Sequence, residues 1–333
     1  MNFFNNKVIF ITGGTGSFGR RFVSTLLQKS KPKKVIVFSR DELKQFEMSN
    51  QLSKYDNLMR YFIGDVRDKD RLELATKGVD MIVHAAALKQ VVASEYNPME
   101  TIKTNIYGAE NVISAALNNN VDRIIALSTD KAVNPINLYG TTKLASDKLF
   151  IAANNIVGKN KCKFSIVRYG NVVNSRGSVI PLFKKYVDEN HSYLPITDPS
   201  MTRFWITLDQ GVNFVLNSFR LMIGGETFVP KIPSIKITDL AKAIGPNLKQ
   251  KIVGIRPGEK IHELMCPNDS AHHTIEFKKY FVITPSIEMK HSMSSYLKNK
   301  QKELGKLVSK DFEYHSGTNE NFLNISQIEK IIK

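Results

Sequence analysis

Along the first half of the chain the apolar positions gather into short unbroken runs, separated by stretches whose apolar positions recur at helical spacing. The runs are Val8–Thr12, Lys34–Phe38, Arg60–Ile63, Asp80–His84, Arg123–Leu127 and Lys163–Val167. Between them, Phe18–Gln28, Asp41–Asn50 and Asn105–Asn118 carry helical patterns, and another helix starts in Arg71–Ala75. A strand that is apolar throughout has both faces covered, and helical connections bring the chain back in the same direction. The pattern therefore predicts an α/β fold built on a doubly wound parallel sheet.

After Tyr169 the texture changes. Pro181, Pro195, Pro199, Pro230, Pro233, Pro246 and Pro257 punctuate shorter elements. This predicts a smaller, mixed lobe on the carboxyl edge of the sheet, so residues 1–170 form one unit, to which later strands return, and residues 171–333 another. Residues beyond about 286, including Glu313–Asn321, are mostly polar and are expected to cover the surface.

The 333 residues are 42% hydrophobic, enough for a sizeable core. A net charge of +16 raises the question of nucleic acid, membrane surfaces or anionic small substrates. The lysines stand as singles and pairs (Lys33–Lys34, Lys184–Lys185, Lys278–Lys279), with no basic run interleaved with aromatics. A site for phosphates is therefore expected, and nucleic acid is not. Cys162 and Cys266 form no disulfide framework and no metal spacing, and His272–His273 has no ligand-spaced partner, so no metal is expected. No apolar run approaches the roughly 18 residues that span a bilayer, and Met1 leads almost directly into a strand. No signal peptide or integral membrane contact is expected, and the expected location is the cytoplasm.

The turn after Val8–Thr12 reads Gly13-Gly14-Thr15-Gly16-Ser17-Phe18-Gly19 and opens a helix. Its glycines at 13, 16 and 19 have separate tasks: a sharp turn, bare backbone for a pyrophosphate, and close packing of helix on strand. The helix N-terminus adds unpaired N–H groups and a positive dipole end. At the first strand–helix turn, this is a dinucleotide site rather than a structural loop. The second strand ends Phe38-Ser39-Arg40, where NAD-selective folds carry an acid for the ribose 2′-hydroxyl. Ser39 and Arg40 suit a 2′-phosphate and favour NADP; Asp41, within reach of a ribose, keeps NAD open.

Tyr139 and Lys143 stand four residues apart, on one face of a helix. A phenol is a poor base at neutral pH, and a nearby ammonium draws its pKa down. Tyr-x-x-x-Lys is common on helix surfaces, but here it follows a strand ending Ser128-Thr129, at the carboxyl edge where such sheets bind ligands. Between strand and helix stands Thr129-Asp130-Lys131-Ala132. A dehydrogenase or 4-epimerase needs only a Thr and a Tyr to handle a hydroxyl proton. The Asp130–Lys131 pair, unless it is a solvated loop pair, supplies a second acid and base.

The glycine turn, TGGTGSFG, resembles the extended short-chain dehydrogenase/reductase family, whose members mostly modify nucleotide sugars. Together with SRDELKQFEM, YFIGDVRD, HAAALK, KTNI, ALSTDKA, NPINLYGTTKLASDKLF, MTRFWI, FVPKIPS and GIRPGEKIHE, it resembles the inverting UDP-N-acetylglucosamine (UDP-GlcNAc) 4,6-dehydratases, over roughly residues 5 to 285. The resemblance implies a Rossmann domain with a substrate lobe, NADP as cofactor and UDP-GlcNAc as substrate. It places the cofactor on Gly13, Thr15, Gly16, Ser17, Phe18, Gly19, Ser39, Arg40, Asp65, Val66, Ala85, Ala86, Lys89, Tyr139 and Lys143.

By the same resemblance, Tyr139 takes the proton of the 4-hydroxyl, Thr129 hydrogen-bonds that oxygen and Lys143 tunes Tyr139. Lys131 removes the C5 hydrogen and Asp130 protonates the departing C6 hydroxyl. Hydride then returns to C6, and C5 is protonated on the opposite face. A lysine base must be partly neutral, so burial and the Lys143 charge are expected to depress the Lys131 pKa. Arg256 is implied for the diphosphate and Glu259 for uridine or ribose hydroxyls, with Lys89 and Asn171 as further substrate contacts. Arg203 is open between packing on Trp205 and binding ligand, and His84 is expected to be a hydrogen-bonded core residue. The family also implies a homo-oligomer, a hexamer built from dimers, and the first step of pseudaminic acid biosynthesis.

Two positions depart from the inverting pattern. Gln90 stands where those enzymes carry His, and Asn174 where they carry Gly. Lys89-Gln90-Val91 resembles the dehydratases of the N-acetyl-L-fucosamine route; those and the C5-retaining enzymes carry Met at the Tyr139 position. Such a dehydratase is the alternative reading, followed by a UDP-sugar 4-epimerase and a non-catalytic NADP-sensing protein.

Overall fold

The computed structural model describes residues 2–158, 161–175, 177–289 and 291–332. Strands β1 (Val8–Thr12), β2 (Lys34–Ser39), β3 (Met59–Ile63), β4 (Met81–His84), β5 (Arg123–Thr129) and β6 (Lys163–Tyr169) lie where the apolar runs place them. The chain continues through β7 (Asn171–Val172), β8 (Tyr193–Ile196), β9 (Thr202–Ile206), β10 (Thr227–Pro230), β11 (Ser234–Lys236) and β12 (Lys249–Ile252). It ends with β13 (Leu264–Cys266), β14 (Thr274–Glu276), β15 (Tyr280–Ile283), β16 (Lys306–Leu307) and β17 (Tyr314–His315).

Ten strands form one sheet, in the order β16-β14-β15-β10-β6-β5-β4-β1-β2-β3. From β3 to β10 every pairing is parallel, in register from Ile9 opposite Val35 and Met81 to Ile166 opposite Thr227. The three remaining strands pair antiparallel at one edge. Successive residues of β1 show why the runs are continuous. Ile9 and Ile11 pack with Phe22 and Phe219 on one face, while Phe10 packs with Phe38 and Phe164 on the other. All these side chains are fully buried. The doubly wound sheet predicted from the sequence is the one the chain forms.

A separate cluster of Ile180, Phe183, Trp205, Ile235, Leu240 and Ile328 forms the core of the lobe beside the sheet. There β11, β9 and β7 make a three-stranded sheet, β12 pairs with β8, and β13 pairs with β17.

The structure differs from the sequence reading in three places. The helix read as starting in Arg71–Ala75 begins at Lys69, because the Asp68 carboxylate caps it by accepting from the Arg71 N–H. The helix over Asn105–Asn118 begins at Gly108, preceded by a π turn over Lys103–Tyr107. The polar C-terminal segment does more than cover the surface: Tyr296, Tyr314, Ser316 and Ile328 are buried. Among the described residues no helix is long and apolar enough to cross a membrane, and no group of His, Cys, Asp or Glu could hold a metal ion.

Candidate active site

The glycine turn is built to admit something flat against its backbone. Gly13 has φ +65°, and a Cβ there would lie 2.8 Å from the Ala86 nitrogen. At Gly19 a Cβ would meet the Gly14 carbonyl at 2.4 Å, so only glycine lets the Ser17–Lys29 helix sit this close to the turn. Gly16, the N-cap, places no side chain over the first helical N–H groups, and both Gly16 and Ser17 are exposed. Thr15 and Phe18 are turned inward, Phe18 stacking on Phe22. Ala85 and Ala86 face the turn, their N–H groups donating to the Thr12 hydroxyl at 3.1 and 3.2 Å. A pyrophosphate fits this cradle.

At the end of β2, the Ser39 hydroxyl accepts from the Gln45 amide at 3.1 Å, and Arg40 is exposed, 3.4 Å from Asp65. Asp41, the candidate ribose acceptor, caps the Glu42–Gln51 helix through the Lys44 N–H at 2.9 Å and pairs with the Lys44 ammonium. Asp65 is gripped by Arg67; burial works to raise its pKa, but the Arg67 and Arg40 contacts leave it lowered. Val66 is buried against Gly108.

The catalytic candidates converge at the carboxyl end of β5. Thr129 ends the strand, Asp130–Ala132 form one 3-10 turn, and Tyr139 and Lys143 lie on the Leu138–Ala152 helix. The turn rests on the helix at Gly140, where a Cβ would lie 2.2 Å from the Lys131 carbonyl. Asp130 is fully buried, its Oδ1 accepting from the Thr129 hydroxyl at 3.0 Å and the Lys131 ammonium at 3.1 Å. Its Oδ2 is buried with no partner among the described residues. Thr129 also hydrogen-bonds Tyr139. His84 is buried, its Nδ1 hydrogen-bonded to the Thr12 hydroxyl 2.9 Å away; burial and Lys143 lower its pKa to about 3. It is the neutral core residue expected.

The electrostatics of Lys131 are the reverse of expectation. Burial does act to lower its pKa, but the carboxylates of Asp130 and Glu263 outweigh it and hold the ammonium form well above the usual range. Tyr139 is also held up, to about 12, by burial; the cation that draws it down is Lys131, helped by the Thr129 hydrogen bond. Burial lowers the Lys143 pKa, and Asp147, one turn on, opposes that. Asp147 in turn accepts from Ser128 at 2.6 Å and Arg168 at 3.3 Å.

Asn171 joins the cluster, its Oδ1 3.5 Å from the Lys131 ammonium. Lys89 stands close enough that burial, then the Lys131 charge, lowers its pKa. Arg203 is buried and spent on the loop that follows Arg256: it donates to the Ile261 and Lys260 carbonyls at 2.9 Å and reaches Glu259 at 3.5 Å. Its role here is to brace that loop. Glu259 keeps a buried Oε2 without a partner among the described residues, while Arg256 is exposed at the loop's rim. The two departures from the inverting pattern lie on segments that meet at Gly177. Asn174 takes φ +57°, a backbone suited to Gly or Asn. Three residues on, a Cβ at Gly177 would lie 2.5 Å from the Gln90 amide.

Sequence reasoning missed Glu263, buried and 3.1 Å from the Lys131 ammonium. It also missed Asn105, which clamps Leu88 through both backbone groups (2.8 and 2.9 Å) and donates to Thr142 at 3.0 Å. Asn137 was missed as well: it caps the Leu138–Ala152 helix and donates to the Gly258 carbonyl at 2.7 Å. The usable signal was their place inside the motifs GEKIHE, KTNI and NPINLYG.

Comparison with known proteins then sets this site in a lineage. Residues 9–285 match the family described as "Polysaccharide biosynthesis protein". The chain belongs to that family. Its fold is the extended short-chain dehydrogenase/reductase one: the X-ray structure of Pen from Bacillus thuringiensis matches it with a TM-score of 0.88 at 35% identity, over 99% of each chain. The inverting UDP-GlcNAc 4,6-dehydratase of Campylobacter jejuni subsp. jejuni serotype O:23/36 (strain 81-176) is 57% identical over 329 residues, 99% of this chain and 98% of that one. A UDP-glucose 4-epimerase from Rickettsia akari (strain Hartford) is 40% identical over 336 residues, 99% of this chain and 96% of that one.

Proposed function

We propose that this polysaccharide-biosynthesis family member is a UDP-GlcNAc 4,6-dehydratase that inverts C5, with NADP recycled in place. The observation that carries this reading is the Asp130–Lys131 pair, 3.1 Å apart, on the turn between Thr129 and Tyr139. A 4-epimerase has no use for a second acid and base at the far edge of the sugar. A lyase that breaks C5–H and C6–O does.

Gly13, Gly16 and the helix start would hold the pyrophosphate, and Ser39 with Arg40 a 2′-phosphate. Asp65 and Val66 would border the adenine; Ala85, Ala86, Lys89 and Lys143 would border the nicotinamide end. NADP over NAD is supported by Asp41, whose carboxylate is engaged as a helix cap and in an ion pair instead of standing open to a ribose hydroxyl. When bound, the dinucleotide takes hydride from C4 and returns it to C6.

The protein's own work is proton handling. Tyr139 would accept the 4-hydroxyl proton as its phenolate, the form that the Lys131 charge and the Thr129 hydrogen bond favour, while Thr129 holds the same oxygen. The new ketone acidifies C5–H. Lys131 and Asp130 share one mobile proton at rest, as ammonium and carboxylate. Moving that proton to Asp130 yields the working set, an amine for C5–H and an acid for the C6 hydroxyl. After water leaves, the pair is again ammonium and carboxylate. Asn171 and Glu259 would contact the sugar nucleotide and Arg256 its diphosphate.

Incubation with UDP-GlcNAc and no added cofactor is expected to give a product lighter by one water. Proton NMR of the product formed in D₂O is expected to show an inverted, deuterated C5. A retained C5 would point to the C5-retaining or N-acetyl-L-fucosamine-route dehydratase, and UDP-GalNAc to an epimerase. Lys131→Ala is expected to abolish water loss. The inverted product would enter pseudaminic acid biosynthesis. A homo-oligomer, in the family a hexamer, has a candidate surface in exposed Tyr96, Met99 and Tyr107, which light scattering would test.

A further inference from the structure

Glu263 has no place in the proton accounting above, yet the fold takes trouble to put it there. It follows the Arg203-braced loop and opens into β13, and its side chain is almost wholly buried. The buried Ser316 fixes its backbone twice: the Glu263 N–H donates to the Ser316 hydroxyl at 2.8 Å, and the Glu263 carbonyl accepts from the Ser316 N–H at 2.8 Å. Ser316 is tied in turn to the Thr202 hydroxyl at 2.8 Å. Oε1 of Glu263 lies 3.1 Å from the Lys131 ammonium and 3.9 Å from the Arg203 Nε, and its Oε2 has no partner among the described residues.

The Lys131 ammonium thus has a partner for each of its three hydrogens: Asp130 at 3.1 Å, Glu263 at 3.1 Å and the Asn171 oxygen at 3.5 Å. During elimination, Lys131 passes from amine to ammonium as the C5–H bond breaks. At that moment Asp130 gives up its proton to the leaving hydroxyl. The charge that develops on Lys131 is therefore met by a carboxylate already in place, unchanged through the step, in a site with little water to reorganise.

We infer that Glu263 is a positioning residue for the elimination step: it orients the Lys131 amine and stabilises the ammonium formed as the C5 proton is taken, making Lys131 a stronger base. The inference rests on the dehydratase reading. Electrons and protons balance without any further reactant: C5–H breaks to nitrogen, its electron pair forms C5=C6, and C6–O breaks as Asp130 supplies the proton. Oxidation at C4 does not involve Lys131 changing charge, so removal of Glu263 burdens the second step and not the first.

The test is Glu263→Gln in the holoenzyme, with Glu263→Asp beside it, each checked for folding by thermal melt and circular dichroism. With UDP-GlcNAc, Glu263→Gln is expected to lose about 10- to 100-fold in kcat. Reduced nicotinamide should build up on the enzyme, seen by its near-ultraviolet absorbance. The isotope effect with 5-deuterated substrate should rise, because C5–H cleavage becomes limiting. Glu263→Asp, which keeps the charge but draws it back, is expected to fall between and carries the test alone if Glu263→Gln does not fold. A folded variant with unchanged kcat, or with a fall that leaves the cofactor oxidised and the isotope effect unmoved, would overturn the inference. Failure of the dehydratase reading looks different: the wild-type protein itself would then yield no 4-keto-6-deoxy sugar.

Discussion

At the scale of single residues, two glycines make opposite predictions. Ala is the better helix former by about 1 kcal/mol, so Gly→Ala in a helix interior should stabilise where there is room. Gly211, inside Leu208–Leu221, has room: among the described residues an added Cβ would meet only Ile206, at 3.9 Å. Gly140 has none, the Lys131 carbonyl standing 2.2 Å from such a Cβ. Gly211→Ala is expected to raise the thermal midpoint, while Gly140→Ala should lower stability by about 2 kcal/mol or more and cost water elimination as well. His84 carries the pH dependence. Its folded pKa lies near 3, against an ordinary 6.5, so the folded state resists the proton that the unfolded chain accepts. Its contribution is intact above pH about 6.5 and erodes as pH falls towards 3, by up to about 1.4 kcal/mol per pH unit. Urea midpoints measured down this range should fall less steeply for His84→Asn. At this scale the sequence was most readable where chemistry is local. Thr129, Asp130, Lys131, Tyr139 and Lys143 lie within fifteen positions. Glu263 comes from far along the chain, and a glutamate in a polar loop looks like solvated charge until the fold closes over it.

At the scale of elements, the apolar runs were legible to within about two residues because a strand covered on both faces is mostly apolar, its few buried polar groups (Thr12, Ser165) aside. The turns that carry the site were less so. Asn105–Tyr107 reads as the start of a helix, but the backbone there belongs to a π turn, Lys103–Tyr107, with Asn105 buried beneath Leu88. Periodicity has no signal for one residue's displacement of this kind. Asn105→Ala would strand the Leu88 N–H and carbonyl and remove a donor from Thr142. The expected loss is about 2 kcal/mol or more, read from urea unfolding, with a parallel fall in turnover as the Lys89 segment loosens from the catalytic helix.

At the scale of the molecule, the sequence reading has later strands returning to the sheet of residues 1–170, and the structure runs residues on both sides of Tyr169 into one ten-stranded sheet. The edge strands β14, β15 and β16 are two to four residues long, too short to show alternation, and so escaped the reading. The C-terminal segment misled for a related reason. Its buried groups are isolated (Tyr314, Ser316, Ile328), each surrounded in sequence by polar residues, although each fills a specific place. Ser316→Ala tests how far such a contact reaches. It would leave the Glu263 N–H and the Thr202 hydroxyl without their shared partner. A loss of about 1–3 kcal/mol is expected, together with slower elimination from a protein whose sheet is intact by circular dichroism.

The tie between Ser316 and Glu263 also bears on when during synthesis the molecule becomes an enzyme. The glycine turn and strands β1 to β6 leave the ribosome first, so the dinucleotide cradle can assemble early. The carboxylate beside Lys131 is not fixed until the ribosome has passed Ser316, some 53 residues beyond Glu263. A nascent chain halted before that point would hold its oxidant yet expel water slowly, and the full rate of making a 4-keto-6-deoxy sugar would come only after Ser316 is in place.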